Sequence, residues 1–272
     1  MNKFCHEECL NVLQEYNKTM IDVHCHLENE AYNKDRNEII KKYKNELKAV
    51  ITCCANPRDF DLTANLVEKY KNFVFGAFSI HPIYIKDFIE DQVMEYFDLL
   101  RSNKEKITAI GETGLDYYWI KEDKWRERQK WLFREHIKLA KELEKPLVIH
   151  VRESYDDCIE ILEEEDAQRV DLHMFGGRKL LERVLNKQWF VSMNAIVLKS
   201  KTHKKIIRDM PLNRIMLETD SPWLAPDGGR NDSLAIKKVA EKIAEIKKLD
   251  FDVVWKTCGE NAINFFRLPI KL

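Results

Sequence analysis

Met20-Ile21-Asp22-Val23-His24-Cys25-His26 is a short, mostly apolar run that ends in two histidines. A run of this length, rich in β-branched residues and closed by polar ones, reads as a β-strand rather than a helix. Four further runs share its plan, each leading to a metal-ligating side chain. Ile107-Thr108-Ala109-Ile110 leads to Glu112, Leu147-Val148-Ile149 to His150, Val170-Asp171-Leu172 to His173, and Arg214-Ile215-Met216-Leu217 to Asp220. Random placement would scatter imidazoles and carboxylates through loops and helices. Six of them at the C-terminal ends of parallel strands converge on one mouth, where barrel active sites lie.

Working outward from these runs, strand and helix signals alternate. Strands are expected at 20–25, 48–53, 73–80, 107–112, 147–150, 169–174, 188–193 and 214–219. Amphipathic stretches fall at 59–70, 92–101, 125–143, 154–164, 179–186, 203–210, 233–248 and 252–266. Eight strands separated by helices imply parallel pairing with right-handed crossovers. The expected fold is α/β: a single TIM (β/α)8 barrel over residues 20–272, preceded by a short N-terminal extension, residues 1–19. The chain's 272 residues suit a barrel, which typically needs about 250. In the extension, Phe4, Leu10, Val12, Leu13 and Tyr16 form an apolar stripe suited to packing against the barrel. Ser154 and Asp157 form a capping-box variant ahead of Cys158. Pro146 opens the fifth strand, where a missing N–H is tolerated, and Gly111 and Gly114 allow sharp turns on either side of Glu112.

Composition limits the partners. Lys and Arg number 45 against 46 Asp and Glu, a formal charge of −1, so there is no global basic footprint for tight, non-specific duplex binding. The 33% of charged residues suits a heavily salted surface, as in heat-adapted proteins. Seven cysteines at irregular spacing argue for reduced thiols rather than a disulfide framework. Cys5-His6-x-x-Cys9 has ligand-like spacing but lacks the second pair of a structural zinc site. The first residues are polar, and no apolar run approaches the roughly 20 residues of a membrane span. The expected location is the cytoplasm, with no membrane association and no obligate protein partner.

On a strand, His24 and His26 share a face and Cys25 points the other way, because side chains alternate with period two. Two imidazoles and a carboxylate suit zinc, manganese or a similar ion. Asp220 follows the last strand, which neighbours the first in a closed barrel. There it can bind metal and take a proton from water. Glu218 is expected to face away from the mouth. His81, at the end of the third strand, faces the mouth and suits substrate contact, or else caps the loop at Pro82. Arg152 suits bidentate phosphate contact, or else a salt bridge at the rim. Asp116 suits orienting a ligand from behind. Tyr117, Tyr118 and Trp119 lie in a loop over the site, where one could stack on a base. Lys199, Lys201, Lys204, Lys205 and Arg208 read as a solvated helix face, and Glu163-Glu164-Glu165-Asp166 as a solvated helix end.

The chain resembles the TatD family of metal-dependent deoxyribonucleases, within the amidohydrolase superfamily. The matching stretches are Ile21-Asp22-Val23-His24-Cys25-His26-Leu27, Ser79-Ile80-His81-Pro82, Gly111-Glu112-Thr113-Gly114-Leu115-Asp116-Tyr117-Tyr118, Pro146-Leu147-Val148-Ile149-His150-Val151-Arg152, His173-Met174-Phe175-Gly176-Gly177 and Leu217-Glu218-Thr219-Asp220-Ser221-Pro222. The resemblance implies two divalent cations per chain, with zinc, manganese and magnesium as candidates. It assigns His24, His26 and Asp220 to the first and His150 and His173 to the second, with Glu112 bridging both. Two stretches depart from the family pattern. Met174-Phe175-Gly176-Gly177 replaces Cys-Phe-Ser-Gly, and Arg230-Asn231-Asp232-Ser233 replaces Arg-Asn-Glu-Pro. Both bear on substrate preference.

The expected function is hydrolysis of a phosphodiester, DNA or another, by a metal-activated water whose proton passes to Asp220. Two alternatives stand beside it. One is hydrolysis of a small amide, lactone or aminoacyl ester on the same site. The other is a binding protein that holds metal without catalysis, which the complete ligand set disfavours.

Overall fold

The structure is a computed structural model and describes residues 19–270. Apart from Thr19, the extension lies outside the described residues, as do its apolar stripe and Cys5-His6-x-x-Cys9. Eight strands follow one another in sequence and in space: β1 (Ile21–Cys25), β2 (Ala49–Cys54), β3 (Val74–Phe78), β4 (Ile107–Asp116), β5 (Leu147–Arg152), β6 (Val170–His173), β7 (Phe190–Met193) and β8 (Ile215–Leu217). Each pairs in parallel with the next. The last seam is thin. Cys25 and Ser221 form a single parallel bridge. His26 N–H donates to the Ser221 carbonyl at 2.8 Å, and Asp220 N–H to the His24 carbonyl at 2.8 Å. The Asp22 carboxylate completes the seam by accepting from Thr219 N–H at 3.0 Å and the Thr219 hydroxyl at 2.6 Å. This is the expected TIM barrel.

The main helices around it are α1 (Arg36–Glu46), α2 (Phe60–Lys69), α3 (Glu90–Ser102), α4 (Asp123–Glu142), α5 (Tyr155–Glu164), α6 (Leu181–Asn186), α7 (Ile196–Lys199), α8 (Lys201–Asp209), α9 (Ile236–Lys247) and α10 (Phe251–Phe266). The sequence reading did not anticipate α1. Only its Ile40 and Tyr43 are buried, a stripe too narrow to stand out in a charged segment. Ser154 stands at the start of α5 but makes no side-chain cap there. Its hydroxyl donates instead to the Leu115 carbonyl at 2.8 Å, tying the β5 loop to β4.

Two apolar layers hold the fold. Small and branched strand residues, including Ile21, Val23, Ala49, Ile51, Ala77, Ala109 and Val148, form one buried cluster, which Phe265 and Phe266 at the end of α10 join. A larger cluster joins the outer strand faces to the helices and includes Cys25, as alternation requires. The β1–β2 register shifts between Asp22 and Cys25. Val23 therefore packs inside while both His24 and His26 turn into the mouth. Gly114 lets β4 press against β5: at its φ of +140° any side chain is strained, and a Cβ there would lie 2.0 Å from the His150 carbonyl.

Candidate metal centre

The barrel places all six expected ligands in one mouth. Three overlapping groups of side chains each bring ligand atoms within 4.8 Å of one another. His24 Nε2 lies 3.2 Å from His26 Nε2 and 3.3 Å from Glu112 Oε2. Asp220 Oδ1 completes this group, 3.8 Å from His24 Nε2 and 3.5 Å from His26 Nε2. Asp220 reaches inward because its backbone takes the left-handed φ of 55°, a region Asp tolerates better than most residues. Ligands about 2.0–2.2 Å from a tetrahedral ion stand roughly 3.3–3.6 Å apart. The separations in this group, from 3.2 to 3.8 Å, bracket that range.

The other oxygen of Glu112 faces a second set. Oε1 is 2.7 Å from His150 Nδ1, 3.4 Å from His173 Nε2 and 3.4 Å from His81 Nε2. One carboxylate from β4 therefore touches both groups, one oxygen to each.

Carboxylates behind the imidazoles fix which nitrogen faces the mouth. His26 Nδ1–H donates to Glu28 at 3.0 Å, and the Thr52 hydroxyl holds Glu28 at 2.7 Å. His173 Nδ1–H donates to Glu218 at 3.0 Å. His150 is turned the other way: its Nε2–H donates to Asp116 at 3.0 Å, leaving Nδ1 toward Glu112. Each of these three rings thus keeps one nitrogen on a carboxylate behind it and turns the other to the mouth, where a cation can replace a proton. His24 Nδ1 is buried without a hydrogen-bond partner among the described residues.

Glu218 corrects an expectation. It does not face away from the mouth but is fully buried inside the barrel. It accepts from His173, from the Ser192 hydroxyl at 2.6 Å and from Asn194 at 2.9 Å. Three donors occupy its oxygens, so it orients His173 rather than facing a cation. Glu28 went unnoticed in the sequence, although a carboxylate two residues past His26 was the available signal.

The electrostatics suit a cation. Burial alone would raise the Glu112 carboxyl, but His81, His24, His173 and His150 hold it well below the usual carboxylate range. Burial likewise opposes ionisation of Asp220, and His26, His173 and His24 overcome it. Burial should lower the imidazoles, yet Glu28 and Asp220 raise His26, and Glu218 and Glu112 push His173 up to about 10. Anionic side chains thus hold positive charge in the mouth, as protons when no cation is bound.

The rim is aromatic and basic. Arg152 makes no salt bridge among the described residues. Its guanidinium lies 4.0 Å from the Tyr118 ring centre and 5.7 Å from that of Trp119. Trp119 is 62% exposed, and its backbone N–H donates to Asp116 at 2.8 Å, joining this lip to His150. Across the barrel, Trp223 packs edge-on against His26 at 4.7 Å and stays 48% exposed. Tyr117 instead donates its hydroxyl to Asp157 at 2.6 Å and belongs to the loop's packing. The basic stretch falls on α8 apart from Lys199, which closes α7; Ile206 and Ile207 of α8 are buried while Lys201, Lys205 and Arg208 face solvent.

Known proteins resemble this chain over most of its length. A family model described as TatD related DNase matches residues 21–267. The uncharacterized metal-dependent hydrolase YabD of Bacillus subtilis (strain 168) is 33% identical over 258 residues, covering 92% of this chain and 99% of its own. The human deoxyribonuclease TATDN3 is 29% identical over 258 residues, covering 91% of this chain and 94% of its own. The crystal structure of YJJV, a TatD homologue from Escherichia coli K12, superposes with a TM-score of 0.83 at 24% identity, over 92% of this chain and 99% of that one.

Proposed function

This chain belongs to the TatD related DNase family, and from that premise we propose that it hydrolyses phosphodiester bonds of DNA with two divalent cations. The observation that carries the reading is the position of Glu112, with Oε2 against His24 and His26 and Oε1 against His150 and His173. His24, His26 and Asp220 would hold one cation, His150 and His173 the other, and Glu112 both. Zinc, manganese and magnesium are the candidates, and the nitrogen-rich donor set favours a transition ion. When bound, such cations lower the pKa of water and screen the charge on phosphoryl oxygens.

The chain's own residues supply the rest. Asp220, whose side chain is 16% exposed toward the mouth, accepts the proton of the attacking water and returns it to the leaving oxygen. Arg152, without a carboxylate partner among the described residues, offers its guanidinium edge to an anionic substrate. Tyr118, Trp119 and Trp223 supply flat surfaces on which bases can stack. The name of the human relative supports DNA as the substrate. The unpaired Arg152 favours a phosphodiester over a neutral amide or lactone.

Among the described residues no helix is long and apolar enough to cross a membrane. Cys25, Cys53, Cys54, Cys158 and Cys258 are free and buried, which supports a reducing compartment, and we place the protein in the cytoplasm.

The test is a parallel screen of cation-loaded and chelator-stripped protein on single-stranded DNA, bis-p-nitrophenyl phosphate and aminoacyl esters. Cation-dependent cleavage of the first two is expected. Cleavage of the esters alone would transfer the activity to carbonyl substrates.

A further inference from the structure

Among the described residues, His81 is the one imidazole touching Glu112 whose ring nitrogen is engaged by a backbone donor. Ile83 N–H points at His81 Nδ1 at 3.2 Å. A backbone N–H can only donate, so Nδ1 must accept and the neutral ring carries its proton on Nε2. Pro82 follows and opens the short 3-10 turn Pro82–Tyr84, with His81 as its cap, so local geometry fixes the ring. The ring is buried and sits edge-on to His150 at 4.3 Å. Its Nε2 is 3.4 Å from Glu112 Oε1, beyond the usual 2.7–3.2 Å of an N–H···O bond.

On distance alone, His81, Glu112 and His150 form a group that could hold an ion. The partners of the ring nitrogens separate them. His26 and His150 each give one N–H to a carboxylate behind the ring, Glu28 or Asp116, so the nitrogen facing the mouth can exchange a proton for a cation; in His81 a backbone donor already holds the rear nitrogen as an acceptor, so the nitrogen facing the mouth must keep its N–H. For a cation to bind at Nε2, the ring must either become an imidazolate or break the Ile83 bond and set two N–H groups against each other. We infer that His81 is no cation ligand but a fixed hydrogen-bond donor to a non-bridging phosphoryl oxygen of the substrate, beside the His150–Glu112 edge of the site. This rests on the phosphodiesterase reading. No proton is transferred: Nε2–H gives up its weak contact with Glu112 and donates to the anionic oxygen, where a buried donor is most effective.

The experiment uses the full chain, as parent, His81→Leu and His81→Gln; the Gln amide places an N–H near the position of Nε2. Zinc content after reconstitution should equal the parent's in both variants. On bis-p-nitrophenyl phosphate, kcat should fall on the order of 10²–10³ for His81→Leu, the scale for losing one such donor, with most of it recovered in His81→Gln. In the zinc-loaded parent, ¹⁵N NMR should show the His81 Nε2–H form without a zinc-induced shift. Loss of zinc in His81→Leu, a zinc-shifted Nε2, or parental kcat in His81→Leu would each overturn the inference. If His81→Leu does not fold, His81→Gln and the parent NMR decide the matter. A parent inert on every phosphodiester overturns the activity reading and the phosphoryl contact together. An active parent with an unaffected His81→Leu overturns the contact alone.

Discussion

Glu218 lies behind His173 inside the barrel wall and accepts its Nδ1–H at 3.0 Å. The bond leaves Nε2 as the only nitrogen of that ring available to the mouth. Glu218→Gln places an amide where the acceptor was and releases the ring to the other tautomer. Loss of such a partner typically costs about 10–100-fold in metal affinity. Competition with a coloured chelator should show the affinity of one cation falling by that factor and the other retained. Equal affinities in parent and variant would leave Glu218 with a packing role only.

Glu112 offers one oxygen to each histidine group. Glu112→Ala should therefore lose both cations, whereas His150→Ala should chiefly weaken one. Elemental analysis after reconstitution and desalting gives the stoichiometry directly. Two cations retained by Glu112→Ala would remove the bridge.

Asp220→Asn keeps the side-chain shape but not the base. At matched cation loading, a rate loss on the order of 10²–10⁴ is expected, the usual scale for general acid–base catalysis. Asp220→Ala should lose more cation, since an amide oxygen still coordinates weakly. A fully loaded Asp220→Asn working at the parental rate would move the proton to another group.

Stability should depend on pH more steeply without cation than with it. In the cation-free protein, His173 is raised from its ordinary 6.5 to about 10, because Glu218 and Glu112 outweigh burial. Its proton stabilises the fold fully below the unfolded value and is lost as pH rises through the folded one. Burial raises Asp171 to about 8 and Asp22 to about 7, and these act in the same direction, since the folded state again binds the proton more tightly. The melting temperature of the stripped protein should fall between pH 7 and 10, and that of the loaded protein should fall less, because a bound cation removes the His173 proton but leaves the burial of Asp22 and Asp171 unchanged. Cation binding at pH 8 should release protons, read by calorimetry in buffers of different ionisation enthalpy. A flat profile for the stripped protein would refute the charge assignment.

The strand ends were readable because a barrel obliges each inward side chain there to meet the others. His24, His26, Glu112, His150, His173 and Asp220 all lie where that rule puts them. The direction of Glu218 was not readable, because regular alternation stops with β8 at Leu217 and Asp220 turns with positive φ. The stacking of Arg152 on Tyr118 was equally hidden, since it joins the last residue of β5 to the loop after β4. α1 escaped notice because a helix held by two buried residues leaves little periodic trace.

The β1–β8 seam has a consequence in time. It is closed by the bridge between Cys25 and Ser221, and the residues around that bridge, His24, His26 and Asp220, are those proposed to hold one cation. Wall and ligand set are completed by the same late stretch of chain. A nascent chain still short of Asp220 has an open wall and lacks that carboxylate, so the proposed cation site cannot be complete until the chain has been made past residue 220 of 272.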